Sequence, residues 1–181
     1  GFYEQIDLLL ATTPGTDEFQ YGQGQFTLPV GPDASGDTLQ VFAGFGRIRP
    51  DIPSSAFPFD TRAETFEARV TYAHPFVRSR SENFTGRVSA IWRDDETKIR
   101  DLPEDSRNPT RDEVRILQLR GTWDFTDSLV GVNLIDFSIN KGLGILGATQ
   151  KNDRGSRLTQ AEGDFTYFEA TVSRLQGLGG G

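Results

Sequence analysis

The chain has 181 residues, a net charge of −7, no cysteine, no methionine and a single histidine. That composition excludes disulfide and thiolate-metal frameworks, leaves almost no room for a histidine triad or a two-histidine metal centre, and argues against a surface built for nucleic-acid phosphates. No stretch approaches the ~20 apolar residues of a membrane-spanning helix, a limit that does not apply to the half-apolar strands of a membrane β-barrel.

Period-two alternation, the signature of strands with two unlike faces, dominates from end to end. Ile6, Leu8 and Leu10 oppose Gln5 and Asp7. The weakest strand is "FQYGQGQFTL", residues 19 to 28, where Gly22 and Gly24 dilute the apolar face. Leu39, Val41, Ala43 and Phe45 oppose Gln40 and Gly44, and Phe66, Ala68, Val70 and Tyr72 oppose Glu67, Arg69 and Thr71. Phe84, Val88, Ala90 and Trp92 oppose Arg87, Ser89 and Arg93; Leu117, Leu119 and Trp123 oppose Gln118, Arg120 and Thr122. Ile135, Phe137 and Ile139 oppose Asp136, Ser138 and Asn140, and finally Phe168, Ala170 and Val172 oppose Glu169, Thr171 and Ser173. The expectation is an all-β, antiparallel up-and-down meander of about eight strands with no helix.

Short connections are expected near residues 29 to 37, 74 to 83 and 124 to 131. Long polar ones are expected near 47 to 62, 94 to 112 and 141 to 163, with a shorter one at 12 to 19. Long loops are uncommon in compact domains. Here they fall at every second connection, so they share one end of the meander, the asymmetry of outer-membrane barrels. Alternation alone does not separate that barrel from a soluble β-sandwich or lipocalin-like barrel, whose apolar faces point inward. Aromatic residues towards strand ends (Phe26, Tyr72, Phe76, Phe84, Trp92, Trp123, Phe125) and glycines inside strands favour the barrel.

Motifs for chemistry are sparse. "GLGILG", residues 142 to 147, fits a dinucleotide-binding pattern, but the polar residues after it offer no helix N-terminus to a phosphate. "DDETKIRDLPEDSRNPTRDE", residues 94 to 113, lacks the ligand spacing of a calcium loop and interleaves its acids with cations; it reads as a solvated loop. His74, ahead of Pro75, reads as a turn residue. Neither catalytic residues nor a cofactor or metal site is expected, and the chain is not read as an enzyme.

Six segments in order resemble one family. They are "LLLATTPGTDEFQYGQGQFTLPVG", "FAGFGRIRPD", "YAHPFVRSRSENF", "DEVRILQLRGTWDF", "INKGLGILGA" and "FTYFEATVSRLQGL". Together they are similar to the barrel of two-partner-secretion outer-membrane transporters, the haemolysin-activator and filamentous-haemagglutinin-transporter family. The resemblance implies a 16-stranded outer-membrane β-barrel that exports a large partner exoprotein unfolded, with no nucleotide energy source. This chain would be one segment, residues 1 to 181, supplying about the third to tenth strands. The POTRA domains, plug helix, closing strands and the long Val-Arg-Gly-Tyr loop of the family are not in it, so it would supply wall and lumen rather than the recognition site. A chain that opens on "GFYEQIDLLL" without methionine reads as a piece cut from a longer protein.

On this plan the lumen-facing candidates are Gln5, Asp7, Glu67, Arg69, Thr71, Arg87, Ser89, Arg93, Gln118, Arg120, Asp136, Ser138, Asn140, Glu169 and Thr171. His74, Pro75, Arg78 and Arg80 would form a periplasmic turn. The expected partners are the secreted exoprotein, outer-membrane lipid and the POTRA domains of the same full-length chain, with no nucleic acid; the expected location is the bacterial outer membrane. Two other readings stay open: a complete small eight-stranded outer-membrane barrel with a structural or adhesion role, and a soluble β-barrel or sandwich that binds an apolar ligand.

Overall fold

The computed structural model describes residues 4–14, 18–32, 35–50, 61–99, 110–150 and 162–177. Every alternating segment becomes a strand: β1 (Gln5–Thr12), β2 (Phe19–Val30), β3 (Asp37–Ile48), β4 (Thr61–Arg78), β5 (Glu82–Ile99), β6 (Thr110–Thr126), β7 (Val132–Gly142) and β8 (Thr166–Leu175). They form one antiparallel sheet in the order β1 to β8, each strand pairing with its neighbours in sequence. The described residues contain no helix. β1 and β8 make no contact with each other, so the sheet is open at both edges.

β2, the weakest strand by sequence, pairs along its length with β3. Its glycines have a spatial use. Gly22 and Gly24 stand opposite Leu10 and Leu8 of β1, and a Cβ on either glycine would lie within 3.3 Å of the facing leucine's Cδ2. The missing side chains leave room for the leucines to lie across the sheet.

Three strands run further than the alternation indicates. β5 continues through Asp94–Ile99 and β6 begins at Thr110, so both ends of the acidic run expected as loop are paired strand, Thr97 opposite Thr110. Residues 100 to 109 lie outside the described residues. β4 likewise runs through His74 and Pro75 to Arg78, with a register shift between Pro75 and Val77. The bulge accommodates the proline, which has no N–H to give the ladder. The expected turn therefore shrinks to residues 79 to 81. His74, Pro75 and Arg78 belong to β4, and only Arg80 occupies the turn, which Ser79 closes by donating its N–H to the Glu82 carbonyl at 2.9 Å.

Burial is the reverse of a soluble sheet's. The apolar face is exposed in seven of the eight strands, for example Leu8 at 78%, Val70 at 47% and Leu119 at 49%, and half-buried in β2. A row of well-buried side chains lies on the polar face, Asn140 at 0%, Ser89 at 3%, Ser138 and Thr71, while on the other face Arg115, beyond the apolar band, is buried as well. Among the described residues no second layer covers the apolar side.

That side is banded along each strand. On β6 it is apolar or glycine from Leu117 to Phe125, eight residue steps, or ~27 Å along a strand at ~3.4 Å per residue. Beyond the band the same face turns charged. At the loop end stand Arg47, Glu64, Asp94, Arg115 and Lys141; at the turn end stand Asp37, His74, Asn133 and Arg174. Aromatic residues mark the transitions, Phe45, Phe66 and Trp92 at one end and Tyr72, Phe84, Trp123 and Phe125 at the other.

Candidate functional site: the polar face

The strand register brings all the lumen-facing candidates onto a single face, because residues directly opposite in an antiparallel ladder point the same way. Thr71 faces Ser89, which faces Gln118, which faces Asn140. One step along, Arg87 faces Arg120, Arg120 faces Ser138, and Ser138 faces Glu169. A row of polar side chains thus crosses four strands with no apolar residue interrupting it.

These side chains satisfy one another. Thr71 and Ser89 share a hydroxyl hydrogen bond of 2.9 Å. The Gln118 amide donates to Asn140 Oδ1 at 2.6 Å, Asn140 to Ser138 Oγ at 2.9 Å, and Ser138 to Glu169 at 3.2 Å. Arg120 pairs with Asp136 at 2.9 Å, and Asp136 also accepts from the Thr122 hydroxyl at 2.9 Å. Arg87 donates to Thr122 Oγ1 at 2.8 Å. The two arginines that face each other are therefore kept apart in charge by one carboxylate and one hydroxyl. Arg69 pairs with Glu67 along its own strand and stacks over the Phe42 ring at 5.4 Å. Arg93 pairs with Asp95 at 2.8 Å. Gln5 donates to Asp7, on the exposed edge strand β1. Thr171 lies opposite Asp136.

Polar groups that the sequence reading did not place join the same face because the strands run on. Thr65 donates to Asp95 at 2.7 Å, and Asn83 to Asp124 at 2.8 Å. Their signal was the period itself, continued past the last apolar residue. Chemically the face is polar and of mixed sign: many of its hydrogen bonds are mutual and some of its charges are paired, while Ile91 beside Ile116, and Val132 and Leu134 near Leu175, place aliphatic side chains on it. Among the described residues no cluster of three or more metal-ligating side chains occurs.

At the turn end the apolar side carries the other ordered groups. His74 Nδ1 bonds Asp37 Oδ1, and the His74 ring meets Phe76 edge-on at 4.7 Å. Phe76 stacks on Phe84 at 5.6 Å. The only imidazole of the chain is thus a cross-strand clasp at the edge of the aromatic band. "GLGILG" closes β7 and then folds back beside β6, with the Leu143 and Thr149 amides donating to the carbonyls of Arg115 and Glu113.

Asp127, in the β6–β7 turn, has its carboxyl lowered to about 2. The Asn133 amide is the main cause, helped by the Gly131 and Leu129 N–H groups and by Arg174, while burial works the other way. A carboxyl depressed in the folded state stabilises above its unfolded pKa, and that contribution is lost as pH falls through the folded value. Hydrogen-exchange protection of the Leu129 and Gly131 amides is expected to decline between about pH 4 and pH 2, and Asp127→Asn is expected to make it independent of pH across that window.

No family model matches the chain, and no curated protein or solved structure matches it.

Proposed function

We propose that this chain is part of the wall of a transmembrane β-barrel in a bacterial outer membrane, and that the pore it lines exports a large exoprotein as an extended polypeptide. The observation that carries this reading is the inverted burial: an exposed apolar band with aromatic margins on one face, and on the other a mainly polar surface with its best-buried row made of Thr71, Ser89, Ser138 and Asn140. A soluble sandwich would have to hide the first and wet the second. The all-antiparallel meander and the open edges are those expected of a stretch of a larger barrel, the 16-stranded plan that the family resemblance implies. The gap between β1 and β8 counts against a closed eight-stranded barrel.

The lining suits a moving chain. Charges of both signs keep the wall hydrated, and many of its side chains already bond one another, as in Thr71–Ser89 and Gln118–Asn140–Ser138–Glu169, which leaves a passing chain few free groups to hold.

The test is made in cells expressing the full protein. A photo-crosslinking amino acid at Gln118, on the polar face, is expected to trap a secreted polypeptide during export, whereas the same group at Leu117, one residue away on the apolar face, is expected to trap lipid or nothing. Membrane insertion with a conductive pore but no polypeptide adduct at Gln118 would leave a passive porin and defeat the export reading.

A further inference from the structure

Among the described residues only two other than glycine have positive φ, Val130 at 59° and Leu146 at 55°. For aliphatic side chains that conformation is a real outlier, because Cβ crowds the following carbonyl. Both occur in the same local sequence, an aliphatic pair followed by glycine: "LVG" at 129 to 131 and "ILG" at 145 to 147. Both pairs are well exposed, Val130 at 78% and Leu146 at 66%, with Leu129 and Ile145 beside them. Asparagine or glycine would hold these positions without strain: Leu146 and Gly147 (φ 79°) are the central residues of a primed turn closed by the Ala148 N–H on the Ile145 carbonyl. Folding alone does not account for the leucine or the valine.

Each turn is also tied to the apolar side of the sheet by a buried or paired arginine. Arg115 donates to the Leu146 carbonyl at 3.1 Å while its guanidinium lies over the Trp92 ring at 3.4 Å. Arg174 bonds Asp127 and donates to Asn133 Oδ1 at 3.1 Å, and Gln176 holds the Leu129 carbonyl at 2.9 Å. Between the two turns runs β7, Val132–Gly142. Its ten residue steps span ~34 Å at ~3.4 Å each, or ~26 Å across a layer for a strand tilted ~40°, and its apolar stretch, Ile135 to Ile139, is bounded by Asn133 and Lys141, so the two turns stand just outside the apolar band.

We infer that Leu129–Val130 and Ile145–Leu146 are a matched pair of lipid anchors, held at the two boundaries of the bilayer, that fix the height of the β6–β7 hairpin in the membrane. The inference rests on the barrel reading above and adds to it a partner surface, the boundary between headgroups and acyl chains at each leaflet. Strained aliphatic tips at both ends, spaced by one strand, resist sliding in either direction, which aromatic margins alone do with less grip on the hairpin ends.

This chain has no cysteine of its own, so within it each introduced cysteine is a unique label site. In the full protein reconstituted into phosphatidylcholine vesicles, Leu129→Cys and Ile145→Cys carry an environment-sensitive fluorophore, with Val70→Cys as the deep reference and Gln40→Cys as the polar-face reference. Both tips are expected to be quenched more by lipids spin-labelled near the headgroup than by those labelled near the chain end, and Val70 the reverse. Val130→Asn and Leu146→Asn, which suit the left-handed backbone, are expected to keep or raise the detergent melting temperature while abolishing the shallow quenching. If Val70 is quenched and the tips are not, or if the asparagine variants quench as before, the anchors are refuted and the barrel stands. If Val70 is not quenched either, both readings fall.

Discussion

Val70→Arg and Ala90→Arg, singly or together, are expected to keep the full protein out of the membrane. The two positions face each other across β4 and β5 in mid-band, and both are exposed. An arginine at the lipid face of a barrel midplane costs ~2 to 4 kcal/mol. Two such residues opposite each other cost ~4 to 8 kcal/mol before their mutual repulsion is counted, comparable with the ~5 to 15 kcal/mol that holds a typical fold. The control is Gln25→Arg, on the polar face opposite Asp7, where a new cation gains a partner and insertion should be unchanged. The measurement is the fraction of protein protected from protease in vesicles, with the heat-dependent gel shift of folded barrels as a second readout. Equal insertion of Val70→Arg and Gln25→Arg would sink the membrane reading. So would a wild-type chain that folds in plain buffer, because its exposed leucines, valines and isoleucines have no cover there.

The number of strands, their order and the membership of each face were legible in the sequence because all three follow from a single period. Residues 66 to 72 alone fix which of Glu67, Arg69, Thr71 and Val70 share a side, and the ladder then carries that assignment across the sheet. The direction each face points was not legible, since alternation is the same for a sandwich and its inside-out version; only burial separates Ser89 from Val88. Strand ends were missed for a related reason. Beyond the band the outer face becomes charged, as in Glu64, Asp94, Glu96 and Glu113, so the contrast between faces disappears while backbone pairing continues. His74 and Pro75 read as a turn because proline usually stops a ladder, and the bulge after Pro75 depends on its partner strand. The left-handed Val130 and Leu146 had no local signal at all: aliphatic residues are the last choice for that conformation, and the contacts that hold them come from Arg115, Arg174 and Gln176, far away in sequence.

Arg115→Ala is expected to release the loop after β7 without unfolding the sheet. Arg115 breaks the alternation, a cation on the apolar face between Glu113 and Leu117, yet it is only 3% exposed. Its guanidinium donates to the Leu146, Arg93 and Val114 carbonyls at 3.0 to 3.1 Å, and pairs with Asp94 at 2.7 Å and Glu113 at 3.5 Å. Removing one partner of a buried ion pair costs ~3 to 5 kcal/mol. Asp94 and Glu113 are each about a quarter exposed and recover some hydration, so ~2 to 4 kcal/mol is the expected loss. Most of it falls on the segment from Leu143 to Thr149, because β6 keeps its ladders to β5 and β7. Amide exchange at Leu143 and Thr149 should accelerate by roughly 30- to 1,000-fold, the equivalent of that energy, while Val70 and Val88 exchange as before. Arg115→Lys should restore the Asp94 pair but not the flat stack on Trp92 or the bond to Leu146, since one ammonium cannot reproduce the planar fork. The lysine variant should therefore fall between wild type and alanine in exchange, and should lose the shallow quenching at Ile145 as alanine does. Unchanged exchange at Thr149 in Arg115→Ala would mean that the two backbone bonds to β6 suffice to hold the loop, and that the arginine is there for the strand end alone.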